Sequence, residues 1–436
     1  MEVFSLLQKE CRQILKSIVY VIFVGVVVIF YITQLSGEIK NATDKYEAGE
    51  YDSQNLLFKP EQGQDNYGYK EVEDPEQVMP KAVEALVGEY QANHYVAYPV
   101  GFYKSVRLSE RENKRVAEII EKITGVSPEF IAVMISEHMQ ANVKEQGDGF
   151  FFYDNTQIVE IPIIVDYELF KGYMQEIDKT IGGGSSYKID KLSQYGRKAL
   201  SYEEKIEIYN NFIEKDKVTG AYARLFCDYM GIVIALFSIF VPVSYFMQDK
   251  KARMEELICV RRIGSAKLII ARYLANCVMI LIPFLILALI ESVQLISFGK
   301  TNNIVVGISA YAKYIGGWLL PAILFTTAVG TLFTVLTDSP IGIIVQFGFS
   351  FFQIFKSGDI GGGDYGGDLA LRHNSLGNYD KFKEGFNQIV QNRLIYAVGA
   401  ATLIIFTIWL YELKRGGKIN IGNLLRAFKG TGKASL

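Results

Sequence analysis

Residues Gln248 to Arg272 read QDKKARMEELICVRRIGSAKLIIAR and lie between two apolar runs that are long enough to cross a membrane. The stretch carries seven basic residues against three acidic ones, and short loops so rich in Lys and Arg stay on the cytoplasmic side. Residues at helical spacing along it are Met254, Leu257, Ile258 and Arg261. The stretch therefore predicts a short cytoplasmic helix that either lies on the membrane surface or docks onto a partner.

The charges of the 436-residue chain are divided unevenly. Residues 36–222 contain 33 acidic against 21 basic residues, a net charge of −12, and the remainder contains 14 against 24, a net charge of +10. An acidic, polar piece joined to a basic, apolar remainder is typical of a membrane protein with one large outside domain. We therefore expect a polytopic α-helical membrane protein with an α+β extracytoplasmic domain between its first and second spans.

Six transmembrane helices are predicted, because about 20 apolar residues cross a bilayer as a helix. They are residues 17–37, 223–247, 273–291, 314–337, 339–355 and 394–411. Three net basic segments, which place both termini in the cytoplasm, are the interfacial helix 1–16, the loop 248–272 and the tail 412–436. The segments expected outside are the domain 38–222, the outer or re-entrant segment 292–313 and the Gly-rich segment 356–393.

Within the outside domain, residues 109–124 carry the strongest local signal for a helix. Ser109 and Glu112 are spaced for a capping box, and Gly125 follows the last apolar residue of the pattern. Further helices are predicted over 128–139, 167–181 and 202–215. Residues 150–165 are β-like, and residues 38–80 are expected to be rich in loops.

The sequence carries no motif for nucleotide hydrolysis, zinc or disulfides. The nearest string to a phosphate-binding loop is Gly299-Lys300-Thr301, but the Gly expected five residues earlier is Gln294. The three histidines are scattered, and the four cysteines show no metal-binding spacing. We therefore expect no catalytic residue, no metal and no cofactor in this chain.

Three charged residues fall within or beside the predicted spans. Glu291, at the outer end of the third span, either contacts a substrate on its pathway or lies at the level of the lipid headgroups. We favour the headgroup interpretation. Arg224 and Asp228 are four residues apart at the start of the second span, which predicts a local ion pair.

The whole pattern resembles the type-2 family of ABC transporter permeases. The topology is similar, and the loop carries the family's residues, which here are Arg253, Glu255, Glu256, Leu257, Gly264, Ser265 and Lys267. The last span, entered as Asn392-Arg393-Leu394-Ile395-Tyr396, is also similar. Gly220 to Phe226 resembles a subgroup from Firmicutes with a large extracytoplasmic domain after the first span.

The resemblance implies a permease subunit that has no ATPase site of its own. A coupling helix in the loop would sit in a cleft of a separate cytoplasmic ABC ATPase, which binds the ATP. Residues expected to couple the two subunits are Arg253, Glu255, Glu256, Leu257, Ile258, Arg261, Arg262 and Gly264. A second permease copy or a related permease and membrane lipid are the other expected partners, and no nucleic acid is expected.

The resemblance also implies export of an amphipathic substrate, such as a lipid, peptide, antibiotic or glycoconjugate, across a bacterial plasma membrane. Three alternatives stay open. The basic loop could be a membrane anchor without a partner. The chain could belong to the mechanotransmission type of ABC protein, although that type usually has four spans. It could also be a receptor or scaffold that does not transport and whose outside domain binds a ligand.

Overall fold

The computed structural model describes residues 2–416 except for 65, 100–103, 142, 147–149, 154–158, 252–262, 358–366 and 373–375. The chain divides into two compact units. The first, which we call the helical unit, comprises Met1–Lys59, Ile206–Gln353 and Gly361–Leu436. The second, which we call the inserted unit, comprises Pro60–Lys205 and Ile354–Ile360.

The helical unit is built from long helices around a large apolar core, and a smaller cluster packs around Ile239, Val243 and Val329. Its helices begin with α1 (Glu2–Leu15), α2 (Ile18–Gln34) and α3 (Ser36–Ala48). The chain returns to this unit within α8 (Tyr202–Asn210) and continues as α9 (Thr219–Phe237), α10 (Phe240–Lys251), α11 (Ser265–Asn302), α12 (Ala310–Tyr314), α13 (Leu320–Thr337), α14 (Ile341–Ser357) and α15 (Tyr379–Arg415). The last residues of α14 are counted with the inserted unit. One turn of π-helix follows α8, over Asn211–Lys215, and another follows α12, over Ile315–Leu319.

The inserted unit combines helices with short antiparallel ladders. Its helices are α4 (Pro75–Ala92), α5 (Glu110–Thr124), α6 (Pro128–Ala141) and α7 (Tyr167–Ile181), with a 3-10 helix over Ile189–Tyr195. The paired strands are β1 (Tyr69–Glu71) with β6 (Arg197–Ala199), β2 (Tyr95–Ala97) with β3 (Lys104–Val106), and β4 (Val143–Gln146) with β5 (Phe150–Tyr153). The described side chains of α4, α5 and α7 fill a core of their own.

Five helices in the described part of the chain are long and apolar enough to cross a membrane. They are Ile18–Ala48, Thr219–Gln248, Ser265–Asn302, Ala310–Thr337 and Tyr379–Arg415. The fifth predicted span, 339–355, corresponds to α14, whose 17 residues extend about 26 Å against a hydrocarbon core of about 30 Å. A sixth crossing therefore stays a prediction.

Two helices are longer than the predicted spans, because each continues through charged residues. Helix α11 is 38 residues long and continues through Glu291 to Asn302, so the first part of the predicted segment 292–313 belongs to this helix. Helix α15 begins at Tyr379, well before the predicted start at 394. Residues 38–48, the start of the region expected to be rich in loops, belong to α3, which ends at Gly49 in the left-handed conformation.

The second predicted span, 223–247, is interrupted between α9 and α10. Pro242 has no backbone N–H and its ring crowds the carbonyl four residues earlier, which belongs to Ser238. The Ser238 carbonyl instead accepts a hydrogen bond from Val241 N at 3.2 Å. The Ser238 hydroxyl lies 2.7 Å from the Ile234 carbonyl and 2.9 Å from Thr326 Oγ1, so the interruption also packs through polar contacts to α9 and α13.

Local signals predicted part of the inserted unit correctly. The capping box of α5 is confirmed, with both the Ser109 and the Glu112 side chains bonded as expected, and Gly125 ends the helix with a φ of 74°. The hydrogen bonds from Ser109 lower the pKa of Glu112. The strand prediction over 150–165 was too long, because residues 159–165 belong to no ladder. Pro162 lacks a ladder donor there.

The predicted pair between Arg224 and Asp228 is wrong. Arg224 binds Asp216 through two hydrogen bonds of 2.6 Å, and Arg372 Nε lies 3.3 Å from Asp228 Oδ2. Lys217 and Val218 have φ of 50° and 57°, so the chain turns back and brings Asp216 beside the first turns of α9. The guanidinium also donates to the Tyr314 hydroxyl at 3.1 Å.

Candidate functional site

The basic loop between α10 and α11 is the main candidate site from the sequence. Seven of its predicted coupling residues lie outside the described residues: Arg253, Glu255, Glu256, Leu257, Ile258, Arg261 and Arg262. The eighth, Gly264, has an extended backbone with φ of −63° and ψ of 143° and caps α11. Its carbonyl accepts a hydrogen bond from Leu268 N at 3.1 Å. The part of the site that the structure describes therefore consists of the two ends of the loop and the side chains that contact them.

The first helix of the chain holds both sides of this loop. Glu10 Oε1 lies 3.7 Å from Arg272 Nε on α11, and both side chains are largely buried. The Arg272 guanidinium also lies 5.8 Å and 5.9 Å from the ring centroids of Tyr245 and Phe246 on α10. Arg272 thus joins α1, α10 and α11 through one ion pair and two cation–π contacts.

A second contact between α1 and α10 is exposed. Gln13 Nε2 donates to Gln248 Oε1 at 3.2 Å, three residues before the end of α10. On the same helix α1, burial raises the pKa of the Cys11 thiol, which keeps it protonated at neutral pH. The helix therefore serves as a packing element beside the loop and offers no reactive thiolate.

The last helix holds the other end of the loop. Arg415 Nη1 donates to the Ile263 carbonyl at 2.7 Å and to Ser265 Oγ at 3.4 Å. The preceding residue, Lys414, forms an ion pair with Asp338 in the turn between α13 and α14. The end of α15 therefore connects the loop to a second turn of the helical unit.

The contacts made by Glu10, Arg272 and Arg415 form what we call the loop frame. It joins the loop ends to α1, α10, α11 and α15, so a displacement of the loop would be transmitted to these helices together. Sequence reasoning missed Glu10 and Arg415 as members. Their only signals were the position of Glu10 between Lys9 and Arg12 and the basic pair Lys414-Arg415 at the end of the last apolar run.

The second predicted site residue, Glu291, lies inside the helical unit. Its side chain is only 2% exposed, and Tyr311 on α12 donates to its Oε2 at 2.7 Å. The Tyr31 side chain on α2 also interacts electrostatically with the carboxylate. The carboxylate thus has a hydrogen-bond partner on another helix, and contact with a substrate stays a prediction.

An apolar cavity lies between α13, α14 and α15, away from Glu291. Its volume is 740 Å³, and side chains that line it include Phe325, Val329, Phe349, Leu394 and Val398. An apolar molecule or acyl chain would fit its chemistry. In the described part of the chain, no three His, Cys, Asp or Glu side chains group closely enough to hold a metal.

These features define the class of protein as a multi-pass α-helical membrane protein. Residues 18–360 match the family described as ABC-2 family transporter protein, and this match covers most of the chain. The chain therefore belongs to the ABC-2 family and is a permease of an ABC transporter, the membrane subunit and not the catalytic one. Membership implies association with a cytoplasmic ABC ATPase. Comparisons with curated proteins and with solved structures returned no significant match.

Proposed function

We propose that this chain is the permease of an ATP-driven exporter in a bacterial plasma membrane, and that the loop 248–272 docks onto a separate ATPase subunit. The loop frame is the observation that supports this role most directly. A loop that only anchors the protein by charge has no need of buried contacts to the first and last helices. A loop that passes motion from an ATPase to the spans does need them.

The proposed docking residues have separate roles. Glu255 and Glu256 meet basic groups on the ATPase, Leu257 and Ile258 fill an apolar hollow, and the loop's arginines complete the contact. ATP binds to the partner subunit, and this chain holds no cofactor. In this proposal the docking helix ends before Gly264, which caps α11.

The substrate proposed is amphipathic, such as a lipid, peptide, antibiotic or glycoconjugate, and its direction is outward. The apolar cavity between α13, α14 and α15 supports an apolar portion in the substrate. A second permease copy or a related permease completes the transporter. Exposed apolar side chains on α2 and α15, such as Ile18 and Ile395, would contact this partner or membrane lipid.

The topology proposed has six spans, both termini in the cytoplasm and residues 38–222 outside. In a chain without its four native cysteines, Gln62→Cys and Lys198→Cys should react with an impermeant maleimide on intact cells. Both positions are exposed. Lys9→Cys on α1 is the matched control and should react only after lysis. Labelling of Gln62→Cys or Lys198→Cys only in lysed cells contradicts the topology.

The loop frame can be tested with two neighbouring substitutions. Arg415→Gln removes the charged guanidinium that donates to the Ile263 carbonyl, whereas Lys414→Gln removes the contact with Asp338. Since a hydrogen bond from a charged group contributes about 1.5–3 kcal/mol, substrate-stimulated ATP hydrolysis should fall on the order of tenfold in Arg415→Gln. The ATPase subunit should still co-purify. Equal activities in the two variants would mean that the frame does not transmit motion.

A further inference from the structure

The inserted unit contains an open cleft that the transport cycle outlined above does not use. Its volume is 1040 Å³, the upper end of the range for sites that hold small molecules. Helix α4 and one face of α6, from Ala132 to Met139, form two of its walls. The third side is formed by the end of the 3-10 helix and by residues of the β1–β6 ladder.

The α4 and α6 walls share an apolar strip. It includes Ala85 on α4 and Ala132, Ile135 and Met139 on α6, and Met139 is 41% exposed. Gly88 lies in the last third of α4, and a Cβ built there meets no side chain or other backbone within 4 Å. The helix surface is therefore bare at this point, and an apolar chain could lie along the strip.

The acidic side chains of the lining are already occupied. Glu89 accepts hydrogen bonds from the Tyr187 hydroxyl at 2.7 Å and from Val96 N at 3.1 Å, one on each oxygen. Glu84 pairs with Lys81 on the same helix at 3.1 Å. Burial raises the pKa of Glu89. The hydrogen bonds from Tyr187 and Val96 act in the opposite direction but are weaker. A cationic ligand would therefore have to displace an existing partner.

Arg197 differs from the other charged residues of the cleft. It lies on β6, its side chain is exposed, and within the described ranges it has no ion pair or side-chain hydrogen bond. An uncommitted guanidinium at the edge of an apolar strip matches an anionic group attached to an apolar chain.

We propose that this cleft binds an amphipathic molecule with an anionic headgroup, its chain lying along the α4–α6 strip and its headgroup at Arg197. Fatty acids and lysophospholipids share this chemistry. The proposal does not rest on the loop frame, because binding needs neither ATP nor the ATPase subunit. Its failure and the failure of the transport proposal are therefore separate results.

The experiment uses the full chain in lipid nanodiscs with dansylundecanoate as the probe. Wild type should show a saturable component that laurate or lysophosphatidylglycerol displaces, and whichever competes better identifies the headgroup. Gly88→Leu should lose that component, because its side chain occupies the strip. Gly172→Leu is the matched control, since Gly172 is another exposed glycine within a helix, on α7, whose added Cβ meets no side chain or other backbone within 4 Å.

A second pair of measurements tests the headgroup. Arg197→Gln should weaken the anionic probe about tenfold while leaving displacement by neutral monolaurin unchanged. If Gly88→Leu does not fold, Ser136→Trp fills the cleft from α6, where Ser136 is exposed. Wild-type binding by the folded filling variant overturns the site. Wild-type binding by Arg197→Gln, or equal displacement by dodecyltrimethylammonium, overturns the anionic headgroup.

Discussion

Replacing Arg224 with Met should destabilise the helical unit by about 3–5 kcal/mol, the cost of breaking a buried ion pair from one side. Arg224 is 1% exposed and forms two 2.6 Å hydrogen bonds with Asp216, whose side chain is 2% exposed. Its guanidinium also lies 4.4 Å from the ring centroid of Phe382. The variant leaves the Asp216 carboxylate buried with its main partner gone, so we expect a large fall in melting temperature in detergent.

Two further variants separate the ion pair from the loss of a long side chain. Arg224→Met with Asp216→Leu removes both charges and should recover most of the stability, because no buried charge is left unpaired. Lys313→Met removes an exposed cation nearby and should melt as wild type does. A double variant as unstable as the single one would show that packing of Arg224, and not its charge, stabilises the unit.

Replacing both Glu255 and Glu256 with Lys should abolish substrate-stimulated ATP hydrolysis and transport. Truncating one partner of a desolvated interfacial charge pair costs about 2–5 kcal/mol, and reversing the charge adds repulsion. The Kd of the complex should therefore rise by a factor between about thirty and a few thousand. The permease itself should remain in the membrane with its orientation unchanged, because added positive charge on an inner loop favours the same topology.

The competing interpretation of the loop predicts a different result for the same variant. If the loop only anchors the chain to the membrane surface, two more lysines should leave function intact and strengthen binding to acidic lipids. Binding of liposomes with and without phosphatidylserine measures this directly. The docking interpretation thus predicts a loss of ATP hydrolysis and transport, whereas the anchor interpretation predicts intact function and stronger lipid binding.

The sequence predicted most reliably those elements whose signals are local. The cap of α5 follows from three residues, Ser109, Glu112 and Gly125, and it formed as expected. The long apolar runs predicted the membrane class, which the family match supports. In both cases the stabilising free energy comes from residues that are neighbours in sequence. For the cap it comes from hydrogen bonds, and for the spans it comes from the transfer of apolar residues into the bilayer.

Predictions failed where a charge is satisfied from a distant part of the chain. Glu291 was expected at the level of the headgroups, yet it lies buried within α11, where Tyr311 donates to its carboxylate. Arg224 pairs with Asp216 only because a turn with positive φ reverses the chain between them. Arg415 reaches Ile263 across 152 positions of sequence. No spacing rule reveals contacts of this kind.

The affinity of the ATPase subunit for the permease tests the central claim most directly. The chain in nanodiscs would be titrated with the ABC ATPase that co-purifies with it from native membranes. Glu47→Lys with Glu384→Lys is the matched control, since both residues are exposed and the change in charge is the same. We predict that this control binds as wild type does and that Glu255→Lys with Glu256→Lys binds at least thirtyfold more weakly. Equal affinity in all three proteins would contradict the assignment of this loop as the docking site.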